Sequence, residues 1–183
     1  MVAQEMKSKR IEVRLRDLGQ LFNTMDPSPF HDKDLDQDAE EYIESWAQEF
    51  PVKEQVMLVI HLAEWPAEQD PQALVERAIH NYFSYKARIN KWELRRLLLE
   101  GWWSLLIGIA FLFLCLIAGK SIGDAEKGTF LSLLRESLVI GGWVAMWRPL
   151  EIYLYAWWPI YRRGRIREKL SRMPVEVVHG ASQ

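Results

Sequence analysis

The chain has 183 residues, which is enough for one modest soluble domain beside any membrane segment. Its formal net charge is −2, but residues 1–70 hold 7 basic against 16 acidic side chains, whereas 161–183 hold 6 against 2. The acidic N-terminal part argues against nucleic acid as its partner. A single cysteine, Cys115, excludes a disulfide framework and a cysteine metal site.

The first 50 residues predict a strand followed by a helix. Residues 1–20 contain no apolar core, so we expect no cleavable signal peptide. Ile11, Val13 and Leu15 alternate with charged residues, which is the period of a half-buried strand. After a proline-rich turn at 26–30, helical spacing places a set of apolar residues on one face: Tyr42, Ile43, Trp46, Ala47 and Phe50. Acidic residues at 36–41 suit the positive end of that helix.

The next elements are a strand and a long helix. Val56–Leu62 reads VMLVIHL, which predicts a central strand covered on both faces. Asp70 and Pro71 have the chemistry of an N-cap and a first helical residue. No proline interrupts the helix that they open, so we expect it to run unbroken into the first apolar segment, with Gly101 the place for a bend.

The run Trp102–Gly119 has no charged residue and is about 27 Å long as a helix, close to the hydrocarbon thickness of a bilayer. It predicts a first transmembrane helix at 102–119. After a polar, glycine-containing connection at 120–129, a second one is predicted at 130–147. Arg135 and Glu136 in its first turns make an interfacial or re-entrant segment the alternative.

The predicted fold class is therefore an α+β cytoplasmic domain, with two or three strands and two helices, joined to a transmembrane α-helical hairpin. Residues 1–100 form the domain, 101–148 the hairpin, and 149–183 an interfacial aromatic and basic helix with a C-terminal strand. That strand is predicted at 174–179, where Val175 and Val177 alternate with Glu176 and Val178, and it would return to the same sheet.

Orientation follows from the basic residues that flank the hairpin, because cytoplasmic flanks are rich in Lys and Arg. They are concentrated at 86–96 and 148–172, so both termini should be cytoplasmic and the basic collar should meet anionic headgroups at that face. Amphipathic indoles also favour the interface. The residues expected at the membrane interface are Trp102, Trp103, Trp147, Arg148, Trp157, Trp158, Arg162, Arg163 and Arg165.

Arg135 and Glu136 are the charged residues inside the second apolar segment. Being adjacent, they point about 100° apart on a helix and need partners elsewhere, whereas Arg148 and Glu151 can pair across one turn. Snorkelling to the outer interface, a contact with another protein and an ion path are the alternatives. We favour a lateral helix contact over an ion path, because small residues follow on the same helix: Gly141, Gly142 and Ala145.

The sequence contains no pattern that indicates catalysis, a cofactor or a metal. The aspartates at 32–38 lack the glycine and the glutamate of a calcium loop, and the four histidines lack zinc spacing. Phosphate-binding and serine-nucleophile motifs are also missing from the sequence. We therefore expect a protein that is not an enzyme and has no cofactor.

The stretches IEVRLRDLGQLFNTMDPSPF (11–30) and AMWRPLEIYLYAWWPI (145–160) resemble an uncharacterised family of small bacterial integral membrane proteins with two transmembrane helices. The resemblance covers nearly the whole chain, and WRPLE and WWPI are its specific parts. It implies a bacterial inner-membrane location and supplies no activity or catalytic residue.

Two function classes remain open from the sequence. The first is a non-catalytic, membrane-anchored interaction module, a small subunit or assembly factor, whose partner is another membrane protein or a second copy. The second is a homo-oligomeric channel or transporter with a cytoplasmic domain, which the layout resembles in outline only.

Overall fold

A computed structural model describes residues 9–23, 26–27, 33–65, 71–123 and 129–180. Its strands are β1 (Lys9–Leu15), β2 (Val56–Leu62) and β3 (Val175–His179). Its helices are α1 (Gln37–Glu49), α2 (Pro71–Gly123), α3 (Thr129–Ala145), α4 (Trp147–Glu151) and α5 (Trp157–Leu170), with a 3-10 turn at Leu18–Gln20 and a π-helical segment at Ile152–Ala156. The chain forms two compact units, the sheet unit (Met1–Asn90 with Arg162–Gln183) and the hairpin unit (Lys91–Tyr161).

The three strands form one parallel sheet in the order β1-β2-β3. Ile11 lies opposite Leu58, and Ile60 lies opposite Val177. The predicted strands, including the C-terminal one that returns to the sheet, are confirmed. Each connection between parallel strands is a crossover that contains helix, as parallel pairing requires.

The core of the sheet unit lies on one face of the sheet. Because side chains alternate along a strand, β1 and β2 turn Ile11, Leu58 and Ile60 toward the helices. On the other face of β2, Val59 is buried but Met57 and His61 stay half-exposed. The prediction that β2 is covered on both faces therefore holds at its centre only. The helices contribute Ile43, Ala47, Val75, Ile79, Phe83, Ile166 and Leu170 to this core.

Helix α1 follows Asp36, whose carboxylate accepts a hydrogen bond from the backbone N–H of Asp38 at 3.0 Å. Ile43 is fully buried, as the apolar spacing predicts. Tyr42 and Trp46, predicted on the same face, keep 42% and 40% of their surface exposed. The buried stripe of α1 is thus narrower than its apolar spacing indicates.

Helix α2 begins at Pro71, as predicted, and continues for 53 residues; Asp70, the predicted N-cap, lies outside the described residues. The helix continues through Gly101, where a bend was expected. Helix α3 ends at Ala145 rather than at 147, because Pro149 has no N–H to donate to the Ala145 carbonyl. The predicted connection 120–129 is shorter, since α2 extends to Gly123 and α3 begins at Thr129; residues 124–128 are not described.

The structure contains a small sheet with helices, two of which are long and apolar enough to cross a membrane: Pro71–Ser121 and Phe130–Leu170. The compact units divide the chain at 90–91 and 161–162, whereas the sequence analysis placed divisions at 100–101 and 148–149. The difference has a physical cause inside the hairpin unit. Ile152 and Tyr153 approach Gly101, so the segment after Pro149 packs against α2 within the hairpin unit. The interfacial position of that segment stays a prediction.

Candidate interaction site in the hairpin unit

Helix α2 faces the rest of the hairpin unit through residues spaced alternately by four and three. We call this set the inner seam: Gly101, Leu105, Gly108, Leu112, Cys115 and Gly119. The three glycines and Cys115 are buried, and the two leucines are half-buried. Such spacing keeps one stripe of a helix in contact with a neighbour along its whole length. Cys115, expected to be a small packing residue, lies in this stripe.

Glycines bring the two arms of the hairpin close together. A methyl group on Gly101 would lie 2.9 Å from Cγ2 of Ile152, and one on Gly142 would lie 2.8 Å from Cδ1 of Leu112. At Gly108 the neighbour is backbone, because a methyl group there would lie 3.0 Å from the Ala145 carbonyl oxygen. Small residues allow two helix backbones to approach closely, and they are common in helix pairs whose association is not driven by the burial of apolar surface.

The predicted helix-contact residues divide into two groups. Gly142 and Ala145 lie against α2 of the same chain, so the contact they make is internal to the hairpin. Gly141 has nothing within 4 Å of the place where a methyl group would stand, and it remains available to a second helix. The prediction of a contact with another protein is therefore narrowed to the side of α3 that carries Gly141.

Arg135 and Glu136 are both exposed on α3. The Cγ atom of Arg135 lies 3.6 Å from the place of a methyl group on Gly119, so the aliphatic stem of Arg135 passes close to the end of the inner seam. Ser137, the nearby hydroxyl, donates to the Leu133 carbonyl of its own helix at 2.8 Å. Whether these two charged residues bind a partner stays a prediction.

An ion cluster joins α2 to α4. Arg148 donates to Glu100 at 2.6 Å and to Glu151 at 3.3 Å. The pairing with Glu151 confirms the spacing argument of the sequence analysis. The role of Glu100 as a partner of Arg148 was not predicted, because 48 residues separate the two and no local sequence pattern links them. Nearby, the Tyr153 hydroxyl donates to the Leu98 carbonyl at 3.4 Å.

The indoles predicted at the membrane interface point outward. Trp102, Trp103, Trp147 and Trp158 keep between 53% and 72% of their surface exposed. Trp157 is half-buried and donates its Nε1–H to the Tyr153 carbonyl at 2.9 Å. Its ring lies edge-on to that of Trp158, with centroids 5.4 Å apart. An exposed, amphipathic aromatic cluster of this kind suits a headgroup environment.

The three predicted interface arginines after the hairpin unit, Arg162, Arg163 and Arg165, are all exposed. Arg165 pairs with Glu168 at 3.4 Å. A cleft of about 340 Å³ in the sheet unit lies beside it, between the loop 52–56 and residues 165–174. Lys169 lines this cleft, donates to the Pro51 carbonyl at 3.1 Å, and has its pKa lowered by burial. Basic side chains here complement the carbonyl end of α5.

Part-buried charges in the sheet unit form one ion network. Arg167 donates to Glu44 at 2.5 Å and to the Asn90 side-chain oxygen at 2.7 Å, and it lies 3.5 Å from Glu40. Tyr82 donates to Glu40, and burial together with this hydrogen bond raises the pKa of Tyr82. The network joins α5 to α1 and α2, so these charges hold the helices of the sheet unit together.

Within the ranges that the structure describes, no three His, Cys, Asp or Glu side chains lie close enough together to hold a metal ion. Comparisons with protein-family models, with curated proteins and with solved structures gave no match. The arrangement as a whole is a closely packed helical hairpin with an ion cluster and exposed aromatic rings at one end.

Proposed function

We propose that this chain is an integral protein of the bacterial inner membrane and acts there as a non-catalytic interaction module, a small subunit or an assembly factor. The observation that carries the proposal is the outward direction of the apolar side chains of the hairpin unit. In the most apolar 18-residue windows of the two long helices, 17% and 6% of the residues are buried.

That exposure is the opposite of what the core helix of a water-soluble protein shows. Phe113, Leu114 and Ile117 each keep more than 60% of their surface exposed, and so do Ile140 and Val144 on the other arm. In water each such side chain would forgo roughly 1.5–3 kcal/mol of burial free energy. Lipid removes this cost, since its chains are as apolar as the side chains they cover.

The proposed topology has both termini in the cytoplasm. Lys and Arg residues are concentrated before the first span and after the second, and the connection between the spans has few. The outward indoles and the Glu100–Arg148–Glu151 cluster lie at the same end of the hairpin unit. Both features suit the polar boundary of a membrane better than its centre.

An interaction role is supported by how the chain uses its charged groups. The part-buried ones, Arg167 with Glu40 and Glu44, bind each other and hold helices together. Arg135 and Glu136 remain exposed on the apolar arm α3, where an unpartnered charge is costly. We expect the partner to be another membrane protein or a second copy, which contacts α3 beside Gly141.

Purification of the full chain in mild detergent, followed by native mass spectrometry, tests the proposal. We expect a dimer or a complex with a second polypeptide, and no conductance in a planar bilayer. The variant Arg135→Leu with Glu136→Leu should insert normally and lose the partner that contacts α3, and Gly141→Ala, which adds one methyl group to the same contact, should weaken it less. A closed ring that conducts ions, with conductance lost in the double variant at unchanged mass, would favour the channel.

A further inference from the structure

A second heptad stripe runs along α2 within the hairpin unit, and it has no neighbour in the described residues. We call it the outer seam: Trp92, Arg96, Leu99, Trp103, Leu106, Ala110, Phe113 and Ile117. Its spacing alternates four and three over 26 residues, and all eight residues are exposed. Repeats of this length with apolar residues at the two seam positions indicate a coiled coil.

The outer seam lies across the helix from the inner seam. Each residue turns an α-helix by about 100°, so Trp103 stands about 200° from Gly101. Helix α2 therefore carries two stripes of the same spacing, and the hairpin satisfies one of them. Lipid can cover the part within 102–119, but Trp92 and Leu99 precede that run and still keep 74% and 62% of their surface exposed.

From this second stripe we infer that two copies of the chain associate in parallel through the outer seam of α2, a contact separate from the one proposed on α3. The inference rests on the proposed membrane location. Two copies inserted in the same membrane with the same topology have their α2 helices parallel. Ala110 in the apolar part allows the two backbones to approach closely. The large residues of the interface would be Trp92, Leu99 and Phe113, at the other seam position of the heptads.

Charge complementarity selects the second copy as the occupant. In a parallel two-stranded coiled coil, consider the residue that immediately precedes the first seam residue of a heptad. It faces, on the other strand, the residue that is five places further along the sequence. With Arg96 and Leu99 in the seam, Arg95 of one copy faces Glu100 of the other. The Glu100 carboxylate stays half-exposed and also accepts from Arg148 of its own chain, so the contact between copies would extend that ion cluster. The sequence repeats this relation at Arg88 and Glu93. An antiparallel arrangement would set like charges against each other, because equivalent flanking positions would then meet.

Arg96 is the polar residue of the outer seam. A charged residue at such a position lowers the stability of a coiled coil and favours a particular register and number of strands. It should therefore weaken the association of the two copies without preventing it. Removing the charge of Arg96 should therefore strengthen the dimer.

Cysteine cross-linking of the full chain in native membranes tests the inference. The background is Cys115→Ala, which removes the one native thiol. We expect Leu99→Cys to form a disulfide-linked dimer on mild oxidation, because equivalent seam positions meet in a parallel pair. Leu98→Cys is the matched control: it is the preceding residue, is also apolar and exposed, and lies off the seam.

Dimer dissociation in detergent provides the second readout. Leu99→Ala should weaken association by roughly tenfold or more, Leu98→Ala should change it little, and Arg96→Leu should tighten it. Equal cross-linking of Leu98→Cys and Leu99→Cys would overturn the inference. A chain that is monomeric in detergent, and whose mass neither Leu99→Ala nor Arg96→Leu changes, would overturn it as well. Alkaline extraction of the same membranes separates the two proposals, since a protein that resists extraction but stays monomeric refutes the seam alone.

Discussion

The close approach of the two arms at Gly108 can be tested by adding a single methyl group. In Gly108→Ala the new Cβ would lie 3.0 Å from the Ala145 carbonyl oxygen and 3.1 Å from the Met146 sulfur. The sulfur is on a flexible side chain and can move. The carbonyl belongs to the backbone of α3, so the arms must separate by a few tenths of an ångström.

Two effects of this substitution oppose each other. Alanine favours a helix over glycine by about 0.5–1 kcal/mol, because it loses less backbone entropy. Overpacking a close contact typically costs about 1–3 kcal/mol. Since the contact is with backbone, we expect the second effect to prevail and Gly108→Ala to lower the free energy of unfolding by about 1–2 kcal/mol.

Gly141→Ala is the control, because within one chain its methyl group would meet nothing within 4 Å. In micelles that hold the chain as a monomer, only the gain in helix propensity remains. The assay is reversible unfolding of the full chain in mixed detergent micelles, with tryptophan fluorescence as the probe. Gly108→Ala should be clearly less stable than Gly141→Ala. Equal stability of the two variants would refute the view that glycine sets the helix spacing at this point.

Three further predictions concern the sheet unit. Arg167→Ala should lower the free energy of unfolding by about 1–3 kcal/mol, because it leaves the part-buried Glu44 carboxylate without its ion partner, whereas exposed Arg165→Ala should change it little; equal effects would argue against the network. The raised pKa of Tyr82 makes the free energy of unfolding depend on pH, because the unfolded chain loses the phenol proton first. The contribution of Tyr82 is complete below its ordinary pKa of 10.0, and the free energy of unfolding should fall as the pH rises above that value. Melting curves across this pH range should show the fall, and Tyr82→Phe should make it smaller. Val177→Ala should lower the free energy of unfolding by about 1–3 kcal/mol and speed amide hydrogen exchange in β2, because Val177 is buried against the core. An equal loss in Glu176→Ala, at an exposed residue of the same strand, would contradict the packing of β3.

The strands and the apolar helices could be predicted because each depends on a local period. The alternation at Ile11 and Val13 and the apolar run Val56–Leu62 gave strands that the sheet contains at those residues. The start of α2 at Pro71 follows from the fixed backbone angle of proline, which suits a first helical turn. Strand direction was not predicted, because parallel pairing depends on the path of the connections.

The features that the sequence did not reveal all depend on contacts between distant segments. Gly142 appeared to offer a surface to another protein, yet it packs against Leu112 of the same chain. Glu100 has no local sign of its role, because its partner Arg148 lies 48 residues further on. Trp46 has the spacing of a buried residue and is partly exposed, since periodicity gives the direction of a side chain but not what covers it.

The membrane hairpin with cytoplasmic ends is the central claim, and a topology reporter tests it most directly. A reporter enzyme that is active only outside the cytoplasm is fused to the full chain at either terminus or inserted after Asp124, which lies in the connection between the two spans. The account predicts activity for the insertion at Asp124 and none at the two termini. Activity at the C-terminus would show that the second apolar helix does not cross, and it would contradict the proposed topology.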